Sequence, residues 1–549
     1  MYSLAGKMQN YFLCWLSNSG LITFWKRQRL DNEKFQENFV FLPTVALSLL
    51  ILCLIAKEFL TLVSDWADRR KVMSIQMRLY SLSKRQFVLV FFTFIAGFLL
   101  SVFTGFAGPA IISTTHVNTS HLSEPPTSIA SGPFKFFSPV LSTFNQQIWL
   151  LANLHIQNPT GATFGQPFQL SVTMFAIGED GAGSAGLSVH VRERTLLCHG
   201  QGWCEPIVVL HLGYLEYTKF RVSVSFDGLQ NISYPVNDVQ FEFKTYNPVF
   251  TQVEVWFRFA FLVATFIVTC LFAHTLRKYH MQNWTIEQKW MSFLLPLLLL
   301  YNDPIFPLGF LVKSWVPGIL DTVFQAAFLC TLLLFWLCAF HGIRSTSEKR
   351  PFLTFYLPKV LLCGLVWLAA VTLGSWQQYN ELLDPTYQYR IDMKNFLGMK
   401  VFFFIIGSVY IMYLVFLLIR ACTELHTKPY FNLRLKFLTG ITACVIAVSV
   451  AIVVLRFGSQ VLQDNFVAQI STKYQNSAEF VCFYALLNFY TYTMAFVYSP
   501  SQNYGTEPYF RADTGFTLVN DSDEDVIYGN YEEMPLTNGV HKMHKYDSD

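Results

Sequence analysis

An aspartate and two prolines interrupt a stretch of the chain that is otherwise long and apolar enough to cross a membrane. Residues 294–312 read LLPLLLLYNDPIFPLGFLV, and Asp303 lies near their middle with Pro304 and Pro307 close behind it. A carboxylate at the centre of a membrane helix costs roughly 2.5–3.5 kcal/mol, so Asp303 is expected to face a protein interior or a water-filled cavity. Each proline removes a backbone donor and disfavours helix before it. The stretch therefore predicts a broken helix.

The predicted break defines a candidate binding cavity, since non-helical backbone at membrane depth is tolerated only where protein or water covers it. Its candidate residues are Tyr301, Asn302, Asp303, Pro304 and Pro307. The alternative is a packing kink in which Asp303 bonds a neighbouring helix. Arg258 is one candidate partner, but it lies beside Trp256 near the outer end of its own apolar stretch. Its side chain is therefore expected to snorkel toward the membrane surface.

Two cysteines in a polar region, Cys198 and Cys204, are close enough in sequence to form a covalent or a metal-binding pair. They enclose two glycines in CHGQGWC, which suits a short disulfide loop. The alternative is a zinc half-site that includes His199. The sequence has no second Cys/His cluster to complete four ligands, so it favours the disulfide. A disulfide requires an oxidising compartment, which indicates that this segment is luminal or extracellular.

The composition is typical of a membrane protein with many spans. Of the 549 residues, 53% are hydrophobic and only 14% are charged, whereas soluble domains average about 25% charged residues. The sequence contains no HExxH, no GxSxG on a strand-to-helix turn and no Walker loop, so it gives no support to an enzyme. It also indicates no cofactor, no metal ion and no nucleic-acid partner. We expect a non-enzymatic protein that is surrounded by membrane lipid.

Eight apolar stretches have the roughly 20-residue length of a membrane-spanning helix. They are Phe87–Phe106, Val255–Ala273, Trp290–Val312, Ile319–Phe340, Phe355–Gly374, Gly398–Ile419, Phe437–Leu455 and Phe480–Tyr498. The Lys and Arg residues of the connecting loops gather on one predicted side, which indicates that both ends of this body are cytoplasmic and that residues 107–250 lie outside. A ninth apolar stretch at 39–56 contains Pro43, and it is either a further span or a short interfacial segment.

The segment outside the membrane alternates apolar and polar residues, as half-buried strands do. The runs LSVTMFAI and FRVSVSF are examples. Several such strands at short intervals predict a β-sandwich over residues 146–250, and enrichment in Ser, Thr and Pro predicts a linker over 107–145. Asn118 and Asn231 begin sequons on this side of the membrane, so both can be glycosylated.

The predicted fold is a membrane α-helical bundle, one span followed by seven spans, with a luminal or extracellular β-sandwich inserted between them. Its parts are a divergent N-terminal region at 1–76 with the candidate extra span 39–56, a first clear span at 87–106, a linker at 107–145, the sandwich at 146–250, a seven-helix bundle at 251–498 and an acidic cytoplasmic tail at 499–549.

The acidic tail carries candidate sorting signals. Tyr531-Glu-Glu-Met534 fits a tyrosine-based adaptor motif, in which a tyrosine and a bulky apolar residue lie three positions apart on an extended peptide. Ser522 precedes acidic residues and is a candidate phosphorylation site, at which a phosphate would add negative charge. The alternative is a solvated tail without a signal, since the segment cannot bury enough apolar area to fold alone. The signals predict sorting adaptors as partners.

Four blocks of this sequence resemble one family of membrane proteins. The Wntless-like Golgi-dynamics-domain seven-transmembrane family is similar to this chain in WFRFAFLVATFIVTCLFAHTLRK (256–278), IEQKWMSFLLPLLLLYNDPIFPL (286–308), SAEFVCFYALLNFYTYTMAFVYSPS (477–501) and NDSDEDVIYGNYEEMPL of the tail. The resemblance runs from about Met77 to the C terminus, and residues 1–76 have no recognised counterpart. It implies a Golgi-dynamics β-sandwich in the lumen and a multi-pass protein of the Golgi and secretory pathway, the plasma membrane, or both.

The resemblance also implies partners, because some relatives carry lipidated cargo and some are exploited by bacterial toxins. Together with the predicted cavity and tail, it favours a trafficking or cargo receptor that binds a protein or lipidated ligand and that can serve a bacterial toxin as an uptake receptor. The alternative is a signalling receptor of the G-protein-coupled type, although the charged triplet and the Asn-Pro-x-x-Tyr motif of the rhodopsin class are missing at the expected spans. A channel is a third, weaker hypothesis.

Overall fold

The computed structural model of the chain describes residues 77–501. Within that range it leaves out 118–124, 158–162, 178–182, 187–188, 199–201, 232–233, 313, 315, 345–354, 393–395, 426–428, 458–473 and 475. The candidate span 39–56, the sequon at Asn118 and the tail residues Ser522, Tyr531 and Met534 therefore lie outside the described residues.

Ten α-helices lie in the described part of the chain. Seven of the eight predicted stretches each fall on one helix, and the stretch at 290–312 is divided between two. The ten helices are α1 Lys84–Phe106, α2 Pro248–Leu276, α3 Ile286–Tyr301, α4 Leu308–Leu311, α5 Val316–Arg344, α6 Leu357–Leu383, α7 Tyr389–Asp392, α8 Phe396–Leu425, α9 Pro429–Phe457 and α10 Ser477–Tyr498. By length and composition, six of these described helices can cross a membrane, namely α1, α2, α5, α6, α8 and α10. The break after Tyr301 shortens α3, and the apolar part of α9, Leu435–Ala451, is shorter than a full span.

The helix breaks where YNDPIFP predicts that it should. α3 ends at Tyr301, the following residues form a turn, and α4 begins at Leu308. Asp303 has a left-handed φ of 51°, which aspartate tolerates better than most non-glycine residues because its short polar side chain can bond locally. The turn brings Asp303 and Phe306 against Arg258 of α2. The break therefore places a carboxylate and an aromatic ring beside a neighbouring helix.

α10 is the most buried of the candidate spans in the described part, with 67% of its apolar window inside the protein. It packs against α1, α2, α3 and α9, and α5 packs against α3, α6 and α8. The start of α1 and the end of α10 meet at one end of the bundle, where the backbone N–H of Arg78 donates to the carbonyl of Ser499 (2.8 Å). The sandwich joins the opposite end. Both ends of the helical body thus lie on one side, as the loop charges predict.

Ten strands of the described residues form a β-sandwich between α1 and α2. They are β1 Ile112–Val117, β2 Phe134–Phe137, β3 Ile148–Ile156, β4 Phe164–Ile177, β5 Gly183–Gly186, β6 His190–Cys198, β7 Gly202–Trp203, β8 Ile207–Leu212, β9 Lys219–Asp227 and β10 Val236–Tyr246. One sheet has the order β1-β10-β3-β7, with β8 also on β3, and the other has the order β2-β9-β4-β5, with β6 also on β4. Inward-facing rings such as Phe136 and Phe241 fill the space between the sheets (centroids 4.8 Å apart). The candidate glycosylation site Asn231 lies in the 3₁₀ turn Leu229–Asn231, between β9 and β10.

The prediction of a linker over residues 107–145 is wrong for two segments, since β1 and β2 both lie within it. β1 pairs with β10 from Ile112 opposite Tyr246, and β2 pairs with β9 from Phe134 opposite Val224. Both strands take their partners from far along the chain, and strand formation depends on such partners more than on local preference. Strands of six and four residues also give little periodicity. The sandwich therefore begins before its predicted boundary.

The predicted disulfide joins Cys198 to Cys204, and it excludes the zinc half-site because both thiols are used. Cys198 ends β6 in one sheet, and Cys204 follows β7 in the other. The backbone N–H of Cys204 donates to the carbonyl of Leu154 in β3 (2.9 Å). The disulfide therefore ties the two sheets together at one edge of the sandwich.

Candidate binding cavity between the sandwich and the bundle

A cavity of about 420 Å³ lies where the sandwich meets the helical bundle. Its volume is within the range of roughly 300–1,000 Å³ that is usual for small-ligand sites. The polar and charged side chains on its wall include Gln146, Gln147, His211, Glu254, Arg258, Asp303, Asp321, Gln377, Gln378 and Glu381. Trp149, Phe306, Phe310 and Tyr387 add aromatic surface. Both domains therefore build one site.

A series of side-chain contacts runs from the sandwich along the cavity wall to the helix break. Gln146, which has a φ of 52°, donates from Nε2 to Oε2 of Glu254 in α2 (3.1 Å). Arg258, one helical turn further along α2, donates from Nη2 to Oε1 of Glu254 (2.8 Å). The other terminal nitrogen of Arg258, Nη1, lies 3.8 Å from Oδ2 of Asp303. The carboxylates of α2 and of the break therefore share one guanidinium.

The expectation that Arg258 snorkels to the membrane surface is wrong, because the residue is only 2% exposed. Its Cζ lies 4.1 Å from the ring centroid of Phe306 and 5.0 Å from that of Tyr484. Aromatic faces attract a cation, and paired carboxylates offset the cost of removing the charge from water. Asp303 and Phe306 reach Arg258 only through the path of the break, which the sequence does not show.

The five residues predicted to line one cavity are separated in the structure. Asp303 lines the large cavity. With Asn302, Pro304 and Pro307 it also lines a second cavity of about 10 Å³, which has room for about one water molecule. Tyr301 lines neither of these two cavities, because its ring packs against aromatic rings of α5 and α10. Asp303 thus faces a cavity and contacts a neighbouring helix at the same time.

Asn302 takes part in a buried polar network inside the bundle. It exchanges two amide hydrogen bonds with Asn488 of α10 (2.9 and 3.0 Å) and donates to Oγ1 of Thr265 in α2 (2.9 Å). The hydroxyl of Tyr492 lies 2.6 Å from the same Oγ1. Buried polar groups need partners of this kind. The lone asparagine in the apolar stretch 480–498 is the signal by which the sequence could have revealed this network.

His211 of β8 forms part of the cavity wall on the sandwich side. Its ring stacks on Trp149 with centroids 4.9 Å apart, and its Nε2 lies 3.0 Å from Oε1 of Gln147. Its backbone N–H donates to the carbonyl of Pro385, which follows α6 (2.6 Å). Its Nδ1 lies 4.0 Å from Oε2 of Glu381. Burial lowers the pKa of His211 to about 4, so the ring is neutral at neutral pH.

Two arginines of β6 hold the sandwich on the connection between α6 and α8. Arg194 donates from both terminal nitrogens to the carboxylate of Asp392 (2.8 and 3.1 Å), and Arg192 donates to Asp384. Burial raises the pKa of Asp384, but the hydrogen bonds from Arg192 and Thr386 outweigh burial and leave the pKa lowered. These two arginine–aspartate contacts, hereafter the docking pairs, keep the sandwich side of the cavity against the bundle.

The chemistry that the cavity offers is that of binding. Its carboxylates and amides can accept and donate hydrogen bonds, and its aromatic rings can cover apolar or cationic groups. Within the part of the chain that the structure describes, no three His, Cys, Asp or Glu side chains are grouped as a metal site.

Two family models match the domains of this chain. Residues 132–246 match the model described as TMEM181, GOLD domain, and residues 247–502 match the model described as Wntless-like, transmembrane domain. The first match ends where β10 ends, and the second begins just before α2. The chain is also 54% identical to transmembrane protein 181 of Homo sapiens over 477 residues, which is 86% of this chain and 98% of that relative.

Proposed function

This chain belongs to the transmembrane protein 181 family of Wntless-like multi-pass membrane proteins, and on that premise we propose that it is a trafficking or cargo receptor of the secretory pathway or the cell surface. Its ligand is a protein or a lipidated molecule that the sandwich receives on the outer side. The shared cavity carries this proposal, because a group bound there contacts the sandwich and the bundle together.

The contacts around the cavity give a physical route from ligand to bundle. A ligand that displaces Gln146 from Glu254 changes the surroundings of Arg258, since Arg258 shares its guanidinium between Glu254 and Asp303. A ligand can shift a protein between states only through contacts that differ between those states. The helix break at Asp303 is the element on which such a difference would act.

The proposal includes partners on both sides of the membrane. A lipidated protein would find aromatic surface at Trp149 and Phe310 as well as polar groups on the cavity wall. A bacterial toxin that uses this protein for uptake would bind the same outer face. On the cytoplasmic side, sorting adaptors would bind the tail through Tyr531 and Met534, and a phosphate on Ser522 would add negative charge beside them.

Photo-crosslinking from inside the cavity tests the proposal. A photoreactive amino acid replaces Gln378, which lines the cavity, and in the control it replaces Gln240, which is exposed on β10 and does not line it. A secretory or surface protein that crosslinks at position 378, does not crosslink at position 240 and rebinds the purified receptor would support a cargo receptor. Loss of that crosslink in Asp303→Asn would place the contact at the cavity. Absence of any adduct at position 378 would contradict the proposal.

Surface labelling of living cells tests the trafficking part. We expect Tyr531→Ala to raise the surface fraction of the protein, because the adaptor motif is lost, and Tyr528→Ala, in the same tail, to leave it unchanged. Equal surface fractions in the two variants would count against sorting through Tyr531. A ligand-dependent second-messenger response that depends on residues 421–436, with no effect on cycling, would favour the signalling alternative.

A further inference from the structure

Side chains on the cavity wall offer both donors and acceptors of hydrogen bonds. Five of the lining residues that the structure describes carry amides, namely Gln146, Gln147, Gln377, Gln378 and Gln388. The first two belong to the sandwich, and the other three belong to α6 and to the connection that follows it. An amide donates through its nitrogen and accepts through its oxygen. A ligand that satisfies this wall therefore donates and accepts hydrogen bonds at several of its atoms.

Two of these amides have hydrogen-bonding capacity that no residue in the described part of the chain uses. Gln378 makes no hydrogen bond to any described residue, and its Oε1 lies close to Gly318 of α5, where a Cβ would come within 2.7 Å of it. Gln147 bonds to Nε2 of His211 through Oε1 (3.0 Å), which leaves its NH2 group without a partner among those residues. Polar groups in such places bond to water or to a ligand. One amide of each domain is therefore available to a ligand.

A carboxyl group and a guanidinium on the wall also have unused positions. Oε1 of Glu381 accepts from the amide of Gln377 (2.9 Å), but Oε2 lies 4.0 Å from Nδ1 of His211, which is beyond hydrogen-bonding range. Arg258 lines the cavity, and its buried Nη1 has no hydrogen-bond partner in the described part of the chain. A hydroxyl group suits both residues, because it donates to a carboxylate, accepts from a protonated carboxyl and accepts from a guanidinium. This match does not depend on the charge of Glu381.

Aromatic rings are the second feature of the wall. Trp149 of the sandwich and Tyr387 of the connection after α6 line the cavity, and Phe306 and Phe310 line it from the helix break and from α4. The face of an aromatic ring carries negative charge density, which attracts the polarised C–H bonds of a ring that bears oxygen atoms. A sugar presents such C–H bonds on its ring faces and hydroxyl groups around its rim. It therefore matches both the polar groups and the rings of this wall.

We propose that the cavity binds an uncharged sugar unit, a hexose or an N-acetylhexosamine. Its hydroxyl groups bond to Gln147, Gln378 and Glu381, and the ring of Tyr387 covers one of its faces. The sugar needs no charge of its own, because the carboxylates of α2 and of the break already share the guanidinium of Arg258. A cavity of about 420 Å³ has the size of a small-ligand site. This inference rests on the proposed function, since it names the group that the receptor's ligand places in the cavity.

Calorimetric titration into the full-length protein in lipid nanodiscs tests the inference. The sugar probes are methyl α-D-mannopyranoside, methyl β-D-galactopyranoside and methyl N-acetyl-β-D-glucosaminide. The control probe is cyclohexylmethanol, which has a six-membered ring but no ring hydroxyls. We expect at least one glycoside to bind about tenfold or more tightly than cyclohexylmethanol, because a ligand without hydroxyls leaves the polar groups of the wall unpaired.

Two sources can supply the sugar, a free saccharide and a glycan carried by a protein. A peptide with one N-linked glycan of mannose and N-acetylglucosamine distinguishes them, and the same peptide after enzymatic removal of the glycan is its control. Tighter binding of the glycopeptide than of any glycoside, lost on removal of the glycan, identifies a glycan carried by a protein. Binding of a glycoside as tight as that of the glycopeptide identifies a free saccharide.

Variants that remove one amide place the sugar in the cavity. Gln147→Met and Gln378→Met keep the length of the side chain, and each should weaken binding of the tightest glycoside by about 3–10-fold, the effect of one hydrogen bond. Neither should weaken binding of cyclohexylmethanol, whereas collapse of the cavity would weaken binding of both probes. Gln240→Met is the matched control, because Gln240 is exposed on β10 and does not line the cavity. The thermal midpoint of each variant verifies folding.

Three results would overturn the inference. They are equal affinities for the glycosides and cyclohexylmethanol, no saturable binding of any glycoside up to about 10 mM, and unchanged glycoside affinity in both amide variants. A partner that crosslinks at position 378 without any glycoside binding would refute this inference and leave the proposed function standing. Glycoside binding without any crosslinked partner would support the inference and count against a cargo receptor.

Discussion

Arg258→Met tests whether the buried guanidinium stabilises the end of the bundle that contacts the sandwich. In the folded protein, Nη2 of Arg258 lies 2.8 Å from Glu254, Nη1 lies 3.8 Å from Asp303, and Cζ lies 4.1 Å from the ring centroid of Phe306. Methionine keeps an unbranched apolar side chain but removes the cation that the two buried carboxylates share. Removal of one partner from a buried ion pair costs about 3–5 kcal/mol, and the lost cation–ring contact adds about 0.5–2 kcal/mol.

The thermal midpoint of the full-length protein in detergent measures this loss. Arg277→Met is the control, because Arg277 is exposed at the other end of the same helix. Its change should stay below about 1 kcal/mol, the size of a helix-dipole contact. The triple variant Arg258→Met/Glu254→Gln/Asp303→Asn should recover most of the loss, because the carboxylates that repel each other have become neutral amides.

Equal midpoints for Arg258→Met and Arg277→Met would refute the reasoning, since they would show that the guanidinium adds nothing to stability in its buried position. A triple variant no more stable than Arg258→Met would also contradict it. In that case the loss would come from missing contacts beneath Phe306 rather than from the uncompensated charge of Glu254 and Asp303.

Three further predictions concern other contacts. Arg194→Ala should weaken docking of the sandwich by about 1.5–3 kcal/mol, because a charged hydrogen-bonded pair is lost. Limited proteolysis should then cut the connection between α6 and α8 faster than in the unaltered protein. An unchanged rate of cleavage would contradict the stabilising role of the docking pairs. Asn488→Leu leaves the buried amide of Asn302 without its reciprocal partner and should cost about 1–3 kcal/mol in thermal unfolding, whereas Asn302→Leu/Asn488→Leu should cost less than the sum of the two single changes. The pKa of His211 is about 4 in the folded protein and 6.5 ordinarily, so as the pH falls the unfolded chain binds the proton first. The free energy of unfolding should therefore decrease as the pH drops from about 6.5 to about 4 and level off below. The same dependence of stability on pH in His211→Gln would disprove this contribution.

Features encoded by neighbouring residues could be predicted from the sequence. Hydropathy over about 20 residues located every long helix in the described part of the chain. YNDPIFP located the break, because its prolines act on the residues beside them. CHGQGWC predicted the disulfide between Cys198 and Cys204, because the two cysteines lie close together in the sequence with glycines between them. Each of these patterns carries its physical cause within a short window of sequence.

Features that depend on distant residues could not be predicted. β1 and β2 become strands only by pairing with β10 and β9, so a local reading took them for linker. Arg258 was expected at the membrane surface because Trp256 marks the end of a span, and the residues that cover it come from the turn that follows α3. The cavity itself lies between two domains, and no single segment contains its wall.

The position of Asp303 follows from these distant contacts taken together. Its left-handed backbone lets the chain turn before Pro304, and the turn carries its carboxylate toward Arg258. Arg258 can remain buried there because Glu254 lies one turn away on its own helix, and Gln146 of the sandwich donates to the other oxygen of Glu254. The cost of burying this acid is thus offset by groups that the sandwich helps to position. Detaching the sandwich should therefore weaken the ion pairs at the break, which makes the outer domain part of the stability of the bundle as well as part of the binding site.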